Sequence, residues 1–311
     1  MENFKLSAVS HMYFKKEMSQ SEIADKLELS KVAVSRMIQK AKKLNIYQIN
    51  IKLPFQINED IANKLKERYA LNHVIVVKKP QSNENLNISR LIGMVWAYYM
   101  NLSLNNNCTF GIGIGHTIGY FVESLIPMKT KGVHIVQLQG GLTDVDFYNP
   151  FTITHKACQS LNTSGTYITS SAIVDTKEQR DSIIEGPPIG KPIKEMWKKC
   201  DKAIFGIGLI EKGTFIVPNV IGTNKIEEIK NLGVIGNIMG HCLDINGNFV
   251  TTEIEEKLVS IPIEILNTIP ERIALAGGKE KALTIKCALL SGIVTTLVTD
   301  ESAAEIIVKK N

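Results

Sequence analysis

Cys108-Thr109-Phe110-Gly111-Ile112-Gly113-Ile114-Gly115-His116-Thr117 passes from a short apolar run into a glycine-rich loop, and Thr117–Leu125 then takes up a helical stripe. A strand, a tight loop and a helix in direct succession form the unit from which parallel α/β sheets are built. The unit recurs on both sides. Upstream, Ile61–Tyr69 reads as a connecting helix, His73–Val77 as a strand and Ile88–Leu102 as a helix. Downstream, Val133–Leu138, Ala203–Ile207, Arg272–Ala276 and Thr295–Thr299 read as strands, with Lys279–Leu290 and Ala303–Val308 as helices. The alternation predicts a mainly parallel, doubly wound, Rossmann-like sheet covered on both faces.

Gly113-Ile114-Gly115-His116-Thr117 has three counterparts at predicted strand ends: Gly140-Gly141, Gly206-Ile207-Gly208 and Gly277-Gly278. Glycine lets backbone N–H groups come close to a phosphate, and the helix N-terminus beyond adds partial positive charge. Tight strand-to-helix turns use glycine in any case. Four clusters at equivalent topological positions point instead to one shared anionic pocket, opening where such sheets bind ligands. The G-x-G-x-G spacing is not the dinucleotide fingerprint, and no Gly-Lys-Ser/Thr forms a P-loop.

The first sixth of the chain has a different character. Residues 1–53 hold ten Lys/Arg and five acids, so the whole excess of +5 lies there and the remainder is neutral. Leu6–Lys16 has a helical stripe. Ser19-Gln20-Ser21-Glu22 is a capping box opening a second short helix, and Ser30 caps a third running from Lys31 to about Leu44. Val34, Met37, Ile38, Ala41 and Leu44 form its apolar stripe. Tyr47–Leu53 alternates as an added wing-like strand would. Two short helices joined by a tight turn make a helix-turn-helix, whose second helix enters the DNA major groove. Lys31–Lys43 carries five basic residues and no acid, which a merely solvated helix face does not require. Ser30, Ser35 and the basic Lys31 and Lys40 suit phosphate contacts, Arg36 or Gln39 suits base edges, and Ser19 and Gln20 are expected among the DNA-binding residues. Pro54 marks the boundary, so residues 1–53 are expected to bind DNA and residues 54–311 to form the α/β domain.

With 44% apolar and 22% charged residues in 311, the chain can bury a sizeable core. Disorder, collagen-like repeats and disulfide-stapled mini-folds are excluded. The longest apolar run, around Leu91–Met100, is well short of the ~20 residues of a membrane span. The start shows no basic and apolar regions of a secretory signal. Five scattered cysteines, an odd number without C-x-x-C spacing, point to a reducing, cytoplasmic setting without structural zinc. No cofactor or metal site is expected.

Tyr13-Phe14, Ser19-Gln20, Glu22-Ile23-Ala24, Leu29-Ser30-Lys31 and Val34-Ser35-Arg36 resemble the amino-terminal signature of the SorC/DeoR-type sugar-responsive transcriptional regulators. The resemblance continues through Gly113–Thr117, Val136–Gly141, Gly206–Gly208, Gly236-Asn237-Ile238, Ala276–Lys281 and Leu297–Glu301, so it covers nearly the whole chain in order. It implies a carbohydrate-metabolism regulator, dimeric or tetrameric, whose second domain is similar in fold to sugar-phosphate isomerases but lacks their activity. It implies further that a phosphorylated sugar is the effector, held by Gly113, Gly115, His116, Thr117, Gln139, Gly140, Gly141, Gly206, Gly208, Asn237, Gly277, Gly278 and Lys281. Some members carry Lys, able to form a Schiff base, where this chain has Gln139; a glutamine cannot capture an open-chain sugar covalently. His116 stands where Thr or Arg is common, Asn237 where Asp is usual, and Leu290-Ser291-Gly292 replaces Arg-Gly-Gly.

The rival reading is an isomerase-like enzyme with an added DNA-binding domain. It would need a positioned acid–base pair. His116, Asp175 and Asp300 lie near candidate loops but form no recognisable pair, so no catalytic residue is assigned. Asp300 equally suits capping the helix near Ser302. His241 is expected to be a satisfied structural histidine, and Cys242 and Cys287 small core residues.

Overall fold

The computed structural model describes residues 2–47, 53–79, 87–141, 149–187, 190–210, 221 and 223–309, and the chain divides into two compact units, Met1–Pro54 and Phe55–Asn311. The first unit contains α1 (Glu2–Phe14), α2 (Gln20–Leu27) and α3 (Lys31–Lys43). Ser19 and Glu22 exchange both bonds of a capping box, so two otherwise orphaned N–H groups at the start of α2 are satisfied. Glu28 ends α2 in the left-handed conformation (φ 53°), which turns the chain sharply into Ser30, the N-cap of α3. Val9, Ile23, Ala24, Val34 and Ile38 meet in one small core. Tyr47 closes it, its ring centroid 4.4 Å from that of Phe14. Residues 48–52, the body of the expected wing strand, lie outside the described residues.

The second unit is built on an eight-stranded sheet. Its strands are β1 (Gln56–Ile57), β2 (His73–Lys78), β3 (Thr109–Ile112), β4 (His134–Gln137), β5 (Ser164–Thr166), β6 (Lys202–Gly206), β11 (Glu271–Leu275) and β12 (Thr296–Asp300). The order across the sheet is β1-β2-β12-β11-β6-β3-β4-β5, parallel throughout except for edge strand β1. From β3 the chain steps to β4 and β5, returns to β6 on the other side, and continues through β11 to β12. The direction of winding therefore reverses between β3 and β6, which is the topological switch point of the sheet.

Helices α4 (Glu59–Arg68), α5 (Ile88–Ser103), α6 (His116–Glu123), α7 (Pro150–Ser160), α8 (Lys177–Glu185) and α9 (Gly190–Lys198) punctuate the first half. Burial of Phe110, Ile112, Ile135 and Ile204 on one face and Val136, Ala203, Phe205 and Ala274 on the other gives two core layers. Gly93 lets α5 lie directly on α6: a Cβ there would stand 2.8 Å from the Thr117 carbonyl.

One part of the unit departs from the expected alternation. Between β6 and β11 the chain forms a separate four-stranded antiparallel sheet of β7 (Gly208–Leu209), β8 (Val234–Ile238), β9 (His241–Asp244) and β10 (Phe249–Val250). Helices α10 (Thr223–Asn231), α11 (Glu253–Lys257) and α12 (Ile263–Thr268) accompany it. Two of its strands have only two residues, too few to show a period of two in the sequence. After β11 the expected single helix is split into a 3-10 turn, Lys279–Lys281, and α13 (Ala282–Leu290); α14 (Glu301–Lys309) follows β12. Among the described residues no helix is long and apolar enough to cross a membrane.

Candidate functional site

On the first unit, α3 turns Val34, Ile38 and Ala41 inward and leaves Lys31, Arg36, Gln39 and Lys40 exposed, with Ser35 half-buried. Two of the three serines expected at the DNA are engaged in capping: Ser19 Oγ accepts from the Glu22 amide at 3.2 Å and Ser30 Oγ from the Ala33 amide at 3.1 Å. Gln20 is half-buried at the start of α2. Lys40 pairs with Glu2, and both remain largely in water.

On the second unit, the four glycine clusters follow β3, β4, β6 and β11, which are four neighbouring strands. Their ends are in register: Gly206 pairs with Leu275, and Ile112 stands between Ile204 and Gln137. The loops therefore open along one carboxyl edge, centred on the switch point. Gly115 precedes α6 with φ 132°, a backbone that L side chains rarely adopt, and no side chain caps α6. The flanking helices α5 and α7 are capped by Asn87 and Asn149. The start of α6 thus directs backbone N–H groups and the partial positive charge of the helix end toward the edge of the crevice.

Lys281 brings a positive charge to the same edge, and His116 a titratable imidazole. Lys281 Nζ donates to the carbonyl of Ile207 at 3.0 Å, between Gly206 and Gly208. Burial holds its ammonium below the usual lysine range. His116 is held below its ordinary value first by partial withdrawal from water and then by the Lys281 ammonium. The two basic groups, from loops two strands apart in the sheet, sense each other directly.

Gln139 and Asn237 supply polar recognition. Gln139 is fully buried, yet neither Nε2 nor Oε1 of its side chain has a hydrogen-bond partner among the described residues. Gln137 fixes the backbone beside it, donating from Nε2 to the Gln139 carbonyl at 2.7 Å. Ser260, which sequence reading did not single out, bridges to Gln139 and is itself buried, its hydroxyl unpaired among the described residues. No glycine or charge marks Val259-Ser260-Ile261; only the antiparallel bridge places it there. Asn237 pairs with Gly208 in the small sheet; its Oδ1 accepts from the Gly240 amide at 3.2 Å and its buried Nδ2 is unpaired among the described residues.

The remaining nominated glycines divide by role. A Cβ at Gly140 would meet the Ser171 carbonyl at 2.5 Å, so this residue serves close backbone approach. Gly113 faces the Met239 side chain at the tip of the β8–β9 hairpin, while Gly141 has ordinary clearance. Gly277 and Gly278 border a hollow of about 1020 Å³ that Asp300 and Ser302 also line. His241 is a structural histidine with both ring nitrogens engaged, at 2.6 Å to Glu255 Oε1 and 2.9 Å to the Ile261 carbonyl. All five cysteines are free and buried.

A sequence profile of the sugar-binding domain family matches residues 54–309. The chain belongs to the SorC/DeoR-type family of sugar-binding transcriptional regulators. A profile of helix-turn-helix proteins, YlxM / p13 like, matches residues 5–81 of this SorC/DeoR-type chain. The deoxyribonucleoside regulator of Bacillus subtilis is 25% identical over 96% of this chain and 95% of its own length. The erythritol catabolism regulatory protein EryD of Brucella abortus is 27% identical, over 96% and 94%. The full-length sorbitol operon regulator SorC of Klebsiella pneumoniae shares the fold, with a TM-score of 0.73 and 24% identity over 99% of both chains. These relatives are named as regulators, not enzymes.

Within this SorC/DeoR-type chain, Asp300, one of the isomerase-like candidates, is committed to structure. Its Oδ1 accepts from the Gly278 amide at 2.7 Å, and its Oδ2 accepts from the Ser302 amide at 3.0 Å and from the Ser302 hydroxyl. Asp175 lies before α8, its amide donating to Gln179 Oε1 at 3.1 Å.

Proposed function

We propose that α3 of this regulator binds operator DNA and that the carboxyl edge of the α/β sheet binds a phosphorylated sugar, which shifts the protein between states of different DNA affinity. Ser35, Arg36, Gln39, Lys31 and Lys40 face the duplex; Ser19 and Ser30 act chiefly by fixing the helix ends. The phosphate is taken by the loop Gly113–Thr117 and by Gly277–Lys281, with Lys281 and His116 supplying charge. The polyol is held by Gln139, Asn237 and Ser260.

One observation carries the effector half: among the described residues nothing satisfies the donor or the acceptor of the fully buried Gln139 carboxamide. Each such group left unpaired costs about 1–3 kcal/mol. A sugar hydroxyl both donates and accepts, so vicinal hydroxyls suit the two ends of one carboxamide. Glutamine in place of lysine makes this capture noncovalent. The protein works in the cytoplasm, where phosphorylated sugars are formed, and as a homodimer or homotetramer, since one helix-turn-helix reads too few bases alone.

The test is a thermal-shift screen of the full chain against matched pairs of free and phosphorylated sugars. A melting-temperature rise with one phosphorylated sugar, absent with its free counterpart and lost in Gln139→Leu, is expected. A rise of equal size with the free sugar would overturn the phosphate assignment.

A further inference from the structure

The exposed face of α3 has an apolar residue at its centre. Val32 retains 59% of its surface in water, on the first turn of a helix whose other exposed positions are polar or charged. Val34, two positions on and about 200° around the helix, is fully buried in the small core with Ile38. Val32 therefore points directly away from the core. Arg36 and Gln39 share its face at i+4 and i+7, so the apolar side chain sits inside the basic surface rather than beside it.

Scattered surface aliphatics are ordinary and carry no meaning singly. This one has features that packing and helix formation leave unexplained. A β-branched residue lowers helix propensity on a solvent face, where Lys or Ala would serve better. The same branching leaves one strongly preferred χ1 rotamer, so its two methyl groups are held in place before any partner arrives. The turn that carries it is fixed by the bond from the Ala33 amide to Ser30 Oγ. In helix-turn-helix proteins the leading turn of the second helix enters the major groove. The thymine C5-methyl is the apolar group that a base pair displays there.

We propose that Val32 reads the C5-methyl of a thymine in the operator, a specificity contact that rests on the assignment of α3 as the DNA-reading helix. Gln39 lies roughly 10 Å further along the helix, about three base-pair steps, and so reads a different pair, its amide matching the N6/N7 edge of adenine. The contact adds sequence discrimination without charge.

The full chain is used to select duplexes from a randomised library, and the selected duplex is resynthesised with each thymine singly replaced by deoxyuracil, which removes the methyl alone. Loss of one buried methyl weakens binding by about three- to tenfold. Wild type is expected to show this loss at one thymine per half-site, and Val32→Ala is expected to bind the thymine and uracil duplexes within twofold of each other. The salt dependence of Val32→Ala should equal that of wild type, since no phosphate contact is lost. Val32→Thr, of similar volume with one methyl kept, should retain part of the discrimination. If a sequence is selected but Val32→Ala discriminates thymine from uracil as wild type does, the proposal fails and the DNA-reading assignment stands. If the library yields no enriched sequence, that assignment fails and the proposal with it.

Discussion

The Lys281 ammonium donates a 3.0 Å hydrogen bond to the Ile207 carbonyl, tying the turn after β11 to the loop after β6. Its burial is unfavourable for the charge, and an anion in the crevice would offset that cost. Lys281→Ala is expected to weaken sugar-phosphate binding by about ten- to a hundredfold, the equivalent of a charge-assisted bond of roughly 1.5–3 kcal/mol. DNA affinity without effector should stay within about twofold. Calorimetric titration beside an operator-binding assay checks both; equal effector affinity in mutant and wild type would refute the role.

Effector binding should draw a proton onto His116. Withdrawal from water and Lys281 lower its pKa below the ordinary 6.5, so the imidazole is mostly neutral at pH 7–8. A bound dianion favours the imidazolium, raises that pKa, and makes affinity increase as pH falls from 8 to 7, where the phosphate stays mostly dianionic. Titrations in two buffers of different ionisation enthalpy measure the uptake. It should vanish in His116→Gln; uptake unchanged in that variant would assign the proton elsewhere.

Asp300 should matter for stability. Its buried carboxylate accepts from the Gly278 amide and from Ser302, holding the loop after β11 to the start of α14. Asp300→Ala removes a charged acceptor and is expected to cost about 1.5–3 kcal/mol. Urea unfolding measures it; a change under half a kilocalorie per mole, roughly the scale of an ordinary surface substitution, would mean that the loop is held by other contacts.

The thiols should be inert in the folded protein. Burial pushes Cys200 and Cys242 up to about 12 and Cys108 and Cys287 up to about 11, and it raises Cys158 as well. A thiol reagent at pH 8 should modify native protein only as fast as the protein opens, and all five cysteines promptly in denaturant. Fast modification of any one in native protein would contradict its buried placement.

Removing Lys31 and Arg36 together should weaken operator binding and lower the slope of log affinity against log salt by about one unit per lost phosphate contact. Both side chains are exposed, so the melting temperature should hardly move. Undiminished binding by the double variant would transfer DNA contact to another surface.

Much of this architecture is legible along the chain because its signals are local. Apolar strand, glycine loop and helix follow one another within about ten residues around Gly113, and Ser19, Glu22 and Ser30 mark helix starts through bonds that reach only three positions. The small antiparallel sheet is not legible: strands as short as Gly208–Leu209 acquire their identity from the partner they meet. The glycine signal is legible but mixed, since spacing does not separate Gly140, which admits the Ser171 carbonyl, from Gly115, which opens an uncapped helix.

The sequence by itself determined that a basic helix-turn-helix precedes a parallel α/β unit and that four glycine loops end its strands, because periodicity, capping and charge act between near neighbours. Only the tertiary structure decided that those loops stand on four adjacent strands around a reversal of winding. It alone sets Lys281 on the Ile207 carbonyl, Asp300 on the Gly278 amide and Ser260 beside Gln139. Those pairings join residues between 22 and 121 positions apart, and they exist only once strand order has brought distant loops to one edge.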